Sequence, residues 1–216
     1  MYIFRYKTQK MLDIFEKPKL DLTNITCHSG GAKGSDTYWE TIGEKFGVKT
    51  RAYSYKTNYH QSKNKIEISE VDFQEGIVQI KRANHWLNRF GIDKYMNLLA
   101  RNWSQVKYSK QIFAIGTIVD AGKKSPRGYY SKSKFQSVDG GTGYAVQMGI
   151  DNLKDVWVFD QPRSKWFRWS YSSMKFIETN ITPKIEVQDF AGIGTREILP
   201  SGIAAIEAVY QKTFSK

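Results

Sequence analysis

The chain has 216 residues, 40% hydrophobic and 14% aromatic, which excludes a disordered polymer and suffices for one large domain or two small ones. Its 33 Lys and Arg outnumber 21 Asp and Glu for a formal net charge of +12, a field that favours anionic partners, although the lysines are scattered as on any solvated surface. A single cysteine, Cys27, excludes an internal disulfide and a cysteine-built metal site; no apolar run is long enough to cross a bilayer and no signal-type stretch opens the sequence, so a cytoplasmic protein is expected.

Residues 1–20, with Lys7, Lys10, Lys17 and Lys19 around Met11–Phe15, read as an N-terminal arm. Ile25–His28 is a β-prone run ending in the turn Ser29-Gly30-Gly31-Ala32-Lys33-Gly34-Ser35-Asp36. A helix follows from Ser35 to about Phe46, with Trp39, Ile42 and Phe46 at helical spacing, and Gly47 stops it before a second strand over Val48–Tyr53. Residues 56–68 are polar and lysine-rich, a loop. From Val71 to Lys107 helical spacing returns, with Ile77, Ile80, Ala83 and Leu87 on one side and Gly91 dividing two helices. Met96, Leu98, Leu99 and Trp103 read as core or a subunit contact.

Gln111–Gly116 is a third strand, and the connection from Ile118 to Ser137 is too long for an ordinary turn. Asp139-Gly140-Gly141-Thr142-Gly143 then opens a helix through Met148, and Val156–Phe159 is another buried strand. Lys165–Trp169 belongs to a β-hairpin arm. Val187–Ala191 leads into Gly192-Ile193-Gly194-Thr195-Arg196, and the last helix spans Pro200–Phe214. Alternating strands and helices predict an α/β fold: one three-layer Rossmann-like domain over residues 21–216, with a mainly parallel sheet plus a small β-hairpin arm. Within it, 57–110 is a helical excursion and 118–137 a basic lid loop.

Three glycine turns, at 30–34, 140–143 and 192–194, each follow a strand and precede a helix. Glycine lets the main chain approach a phosphate without a Cβ in the way, and the first amides of a helix carry partial positive charge, so the turns are expected to converge on an anion. The ligand-binding set comprises Ser29, Gly30, Gly31, Lys33, Gly34, Asp36, Gly140, Gly141, Thr142, Gly143, Gln147, Gly194, Thr195 and Arg196. Arg196 has the planar fork for bidentate capture of phosphate, with a salt bridge as its ordinary alternative. In the long connection Lys123, Lys124, Arg127, Lys132 and Lys134 interleave with Tyr129, Tyr130 and Phe135, a mixture able to clamp a nucleotide or track single-stranded nucleic acid. His28 ends the first strand in a position to face the pocket; His28, His60 and His85 are too dispersed for a metal site, and no cofactor is expected.

The run Ser29–Asp36 resembles the S-G-G-A-x-G-x-D turn of the SLOG superfamily, and Gly140–Gly143 resembles its second signature. A third, G-S-R, normally on the first strand, resembles Gly194-Thr195-Arg196 near the C-terminus, which implies a circular permutation. The resemblance covers residues 25–55 and 111–214. It implies a Rossmann-like fold that binds nucleotides, nucleotide-derived signals or single-stranded DNA, as in the DNA-processing protein A and Lonely guy families. Against the Lonely guy pattern P-G-G-x-G-T-x-x-E, the proline is Asp139, the threonine Tyr144 and the catalytic glutamate Gln147. An amide cannot ionise, which puts N-glycosidic hydrolysis in doubt.

Three functions follow as expectations. The first is binding of a nucleotide-derived, phosphate-bearing small molecule, such as an ADP-ribose-like or cyclic nucleotide signal, without turnover. The second is a nucleotide N-glycosidic hydrolase or deoxyribosyltransferase with Asp36, Asp139 or Glu197 as the catalytic carboxylate; Glu40 and Asp160 are weaker candidates. The third is a single-stranded DNA-binding protein, whose affinity would fall steeply with salt. No membrane partner is expected, and a homo-oligomer is.

Overall fold

The computed structural model describes residues 20–57, 60 and 62–215. Apart from Leu20, the expected N-terminal arm lies outside the described residues. Those residues run β1 (Thr26–Ser29), α1 (Ser35–Lys45), β2 (Lys49–Ser54), β3 (Lys65–Glu67), α2 (Glu70–Leu87), α3 (Met96–Lys107), β4 (Gln111–Gly116), β5 (Ile118–Val119), β6 (Ser137–Val138), α4 (Thr142–Asp151), β7 (Asp155–Asp160), β8 (Lys165–Ser170), β9 (Lys175–Thr179), β10 (Asp189–Gly194) and α5 (Pro200–Phe214).

Local chemistry sets the helix ends. The Ser69 side chain accepts from the Asp72 amide to cap α2, Asn88 closes it in the left-handed region, and α5 opens on Pro200, where the missing N–H costs nothing. Gly47 follows α1 at φ 76° and Gly91 separates α2 from α3 at φ 65°.

Eight strands form one sheet in the order β3-β2-β1-β10-β4-β7-β8-β9, and β5 pairs with β6 in a separate two-stranded ribbon. From β3 to β7 every pairing is parallel; β8 and β9 continue the sheet antiparallel. The fold is therefore α/β with a large, mainly parallel sheet. Alternate residues of the central strands divide the core between two faces. Ile112, Ala114, Val156, Val158 and Ile193 pack with Ile80, Leu99, Tyr144 and Met148 of α2, α3 and α4. Phe113, Ile115, Trp157, Phe159 and Phe190 pack with Trp39, Ile206 and Tyr210 of α1 and α5. Burying one such large side chain is worth about 2–3 kcal/mol.

The structure refines three expectations. Residues 56–68 contain β3, which joins the sheet beside β2 while Glu40 of α1 holds the approach by accepting from Ser62 Oγ and Asn64 Nδ2, each at 2.6 Å. The hairpin β8–β9 does not stand free, because Trp166, Phe167, Trp169 and Phe176 are buried against the two cores. The helical stretch within 57–110 is a structural layer of the sandwich, and Met96, Leu99 and Trp103 pack into its core.

From β1 the chain passes through α1 to β2 on one side, and from β4 through α4 to β7 on the other, with the two helices on opposite faces. The last strand, β10, fills the space between β1 and β4. A crevice opens where such connections diverge, at the C-terminal ends of the strands.

Candidate functional site

A cavity of about 900 Å³ lies at those strand ends. Its wall includes Asp36, Asp139, Gly140, Gly141, Thr142, Gly194, Thr195, Arg196 and Glu197 from the expected set. Ser29, Gly30, Gly31, Lys33, Gly34, Gly143 and Gln147 do not line it.

The first glycine turn is filled by the protein itself. A Cβ at Gly30 would overlap the Arg101 guanidinium, one at Gly31 would overlap the His60 ring, and one at Gly34 would lie 2.6 Å from Arg196 Cα. Gly31 and Gly34 adopt φ 59° and 102°, so glycine is required here both for conformation and for close packing. The Ser35 amide, first in α1, donates to Thr195 O at 3.0 Å, and Ser35 Oγ donates to the same oxygen at 2.8 Å. Asp36 turns back to accept from the Ala32 amide and lies 3.5 Å from Arg101 Nη1. Burial pushes the Asp36 carboxyl up, against the pull of Arg101. Gln105, with its amide oxygen towards them, accepts from Arg101 Nη1 at 3.1 Å and from the Gly30 amide. Ser29 Oγ donates to Asp36 O, and Lys33 is exposed on the outside of the turn.

The second turn stays open. Arg89, from the α2–α3 connection, grips its carbonyls, with Nη1 2.5 Å from Gly140 O and Nη2 2.6 Å from Val138 O, and Asn102 donates to Gly141 O at 3.2 Å. Among the described residues the Gly141 and Thr142 amides, at the start of α4, have no hydrogen-bond acceptor, as is usual for the first amides of a helix. The Gly143 amide is used internally, by Gly140 O. Desolvation pulls the half-buried Arg89 below the usual guanidinium range.

The long connection expected as a lid is folded. Beyond the β5–β6 ribbon, Gly122–Ser131 forms a further hairpin: the Ser131 amide donates to Lys123 O, the Gly122 amide to Ser131 O, the Ser125 amide to Tyr129 O and the Gly128 amide to Ser125 O. Its tip lies over the second turn: Arg127 Nε is 3.2 Å from Asp139 Oδ2, its guanidinium covers Gly140, and Tyr129 Oη donates to Asp139 Oδ1. Lys134 stands over the Trp86 ring at 5.0 Å and contacts His85, while Phe135 packs on Trp86. Lys123 and Lys124 are exposed away from the cavity.

The third turn begins at Gly194, because Gly192 lies within β10 with Trp39 Cγ 2.5 Å from the position of a Cβ. It does not run directly into a helix: Arg196 is four residues ahead of Pro200, and the start of α5 lies off the cavity. The Thr195 amide donates to Ile115 O, and the Glu197 amide to Thr195 Oγ1. Arg196 is exposed, lines the cavity and, among the described residues, forms no ion pair. Its guanidinium is available to an anion.

Other expected residues serve elsewhere. Gln147 Nε2 donates to Asp151 Oδ1 at 2.9 Å within α4, one turn away from the cavity. His28 is buried rather than facing the pocket, since Nδ1 meets Tyr53 Oη and Nε2 meets Asp189 Oδ1, each at 2.9 Å, under the Tyr108 ring. Asp160 accepts from the Ile118 amide and Arg163.

Two residues that sequence reasoning did not single out organise the site. Arg101 lies on a helix read as core and Arg89 in an unremarked connection; a basic residue amid apolar helical spacing, as at Arg101, is the one signal available. Counted around the wall, Arg89, Lys94, Arg101, Arg127, Lys132 and Arg196 face three carboxylates, Asp36, Asp139 and Glu197, so the cavity has an excess of positive charge. Fold and site together define an α/β protein with a cationic cavity at the topological switch of a parallel sheet. The chain matches no protein-family model, no curated protein and no solved structure in the comparisons made.

Proposed function

We propose that the protein binds a nucleotide-derived, phosphate-bearing small molecule and does not turn it over. The observation that carries this reading is Arg196, exposed and free of any ion pair among the described residues, on the same cavity wall as the open first turn of α4 at Gly141 and Thr142. A guanidinium beside unpaired helix amides is a phosphate-binding arrangement. The cationic excess of the wall supports an anionic ligand, and the exposed rings of Phe90, Tyr95, Tyr129 and Tyr130 support one with a planar portion.

Absence of turnover rests on the carboxylates. Gln147, matched by resemblance to a catalytic glutamate, is bonded to Asp151 away from the cavity. Asp36 is held by Arg101 and Asp139 by Arg127 and Tyr129, which leaves Glu197, exposed on the cavity wall and without an ion pair among the described residues, as the carboxylate that any release of free base would implicate. The SLOG relationship belongs to the same proposal; its support is the position of β10, which carries Gly194-Thr195-Arg196 between β1 and β4 and so agrees with a permuted chain order.

Calorimetry with AMP, ADP-ribose and cyclic GMP, followed by mass analysis of the recovered ligand, tests both parts. Saturable binding of at least one, returned intact, is the expected result. No binding of any of them overturns the reading, and release of free base replaces it with hydrolysis.

A further inference from the structure

We infer that the outer mouth of the cavity is a base-stacking subsite, built by the α2–α3 connection on one side and the Gly122–Ser131 hairpin on the other. The inference deepens the proposed function and rests on it: the phosphate end of the ligand belongs at Arg196 and α4, and its heteroaromatic ring at the mouth.

The mouth carries large rings that the fold does not bury. Phe90 is 75% exposed, Tyr95 50% and Tyr130 67%, and all three line the cavity. None belongs to either hydrophobic core. Exposed rings collected at the rim of a concave site are the arrangement that a planar ligand covers.

Two of the rings carry an ammonium group. Lys132 Nζ stands 4.7 Å from the centroid of Phe90, and Lys94 Nζ 5.1 Å from that of Tyr95. The rings remain half or more exposed beside these cations, so ring surface is left for a base to stack on, while the ammonium groups favour a ligand that bears negative charge next to the base. A purely apolar ligand would gain nothing from the lysines, and a bare phosphate would gain nothing from the rings. A nucleotide uses both.

The mouth is joined across the cavity as well as shaped. Asn88 Nδ2 donates to Lys132 O at 3.4 Å, and the Lys134 amide donates to Trp86 O at 2.9 Å, so the segment that directly follows the hairpin is tied to the end of α2 beside Phe90. The rings are thereby presented on connected backbone, which lowers the entropy lost when a ligand is held between them.

The experiment compares AMP, ADP-ribose and ribose 5-phosphate on the full chain and on Phe90→Ala/Tyr130→Ala. Both side chains are exposed, so the double variant is expected to unfold at the same denaturant concentration as the parent. In the parent, AMP or ADP-ribose should bind about tenfold or more tightly than ribose 5-phosphate, the share that stacking contributes. In the double variant that advantage should shrink to about twofold while ribose 5-phosphate is unaffected. Nucleotide binding at parental affinity in a folded double variant overturns the subsite and leaves the proposed function standing. Equal weakening of all three probes also overturns it, since that reports damage to the phosphate end. If no probe binds the parent, the proposed function fails, and the subsite with it.

Discussion

Arg101 Nη1 stands 3.5 Å from Asp36 Oδ2, with both side chains more than nine-tenths buried beneath the first glycine turn. The pair joins α3 to the start of α1, on opposite faces of the sheet, and occupies the space in front of Gly30. What by local pattern is a phosphate loop is thus closed by the protein's own guanidinium, and the cavity wall stays open instead at Arg196 and the first turn of α4.

This pair predicts a pH-dependent stability. Burial raises the folded-state pKa of Asp36 above its unfolded value, so the native state holds the proton more tightly; the Asp36 contribution is most favourable in acid and declines as pH rises through the folded pKa. Arg101→Ala leaves a buried carboxylate without its partner and should cost about 3 kcal/mol at about pH 7, and less at about pH 4, because the upward shift of Asp36 favours its neutral form as the pH falls. Urea unfolding at the two pH values measures it. Equal losses at both would show that Arg101 stabilises by packing alone.

Arg196→Ala should weaken nucleotide binding by about 1.5–3 kcal/mol, the range for a hydrogen bond to a charged group. The unfolding midpoint should not move, since Arg196 is exposed and has no ion-pair partner among the described residues. Titration calorimetry with AMP, alongside thermal unfolding, separates the two effects. Undiminished affinity would remove Arg196 from the site.

Two glycines with the same motif appearance should behave oppositely. Gly34→Ala meets φ 102° and the Arg196 backbone, and should destabilise by about 2 kcal/mol or more. Gly141 has φ −63°, and among the described residues an added Cβ would meet only Leu99 Cδ2, at 3.9 Å. Gly141→Ala should therefore fold within about 0.5 kcal/mol of the parent yet bind nucleotide more weakly, because the methyl stands at the amides a phosphate needs. Denaturant curves and AMP binding on both variants decide. Full binding by Gly141→Ala would make the second turn purely structural.

Gln147→Glu tests whether restoring the family residue restores chemistry. Gln147 donates to Asp151, whose carboxyl burial already pushes up; a glutamate would set a buried carboxylate one turn from a half-buried one. The variant should lose about 1–2 kcal/mol at neutral pH. That loss should shrink in acid, where the pair takes up a proton, and AMP should still be returned without free adenine. Base release by the variant would show that position 147 does reach the ligand.

Much of this fold was legible because its determinants are local. Glycine punctuation and three- and four-residue apolar spacing locate α1 and α5 to within a residue, and the apolar runs of β4 and β7 mark strands buried on both faces. Edge elements were not legible: β3 is three residues, Lys-Ile-Glu, with a single apolar side chain, that become a strand only because β2 offers an unpaired edge. At the site, residue type identified Arg196 and the second turn as anion-seeking. Only the tertiary structure decided that the first turn is filled, since Gly30, Asp36 and Arg101 meet across 65 residues or more, through helix packing that no local pattern encodes. The same packing turned Gln147 into a helix-internal hydrogen bond and drew Phe90, Tyr95 and Tyr130 to the wall of one cavity. Backbone conformation is set by near neighbours in sequence, whereas a site is set by which side chains the sheet order brings within a few ångströms of one another.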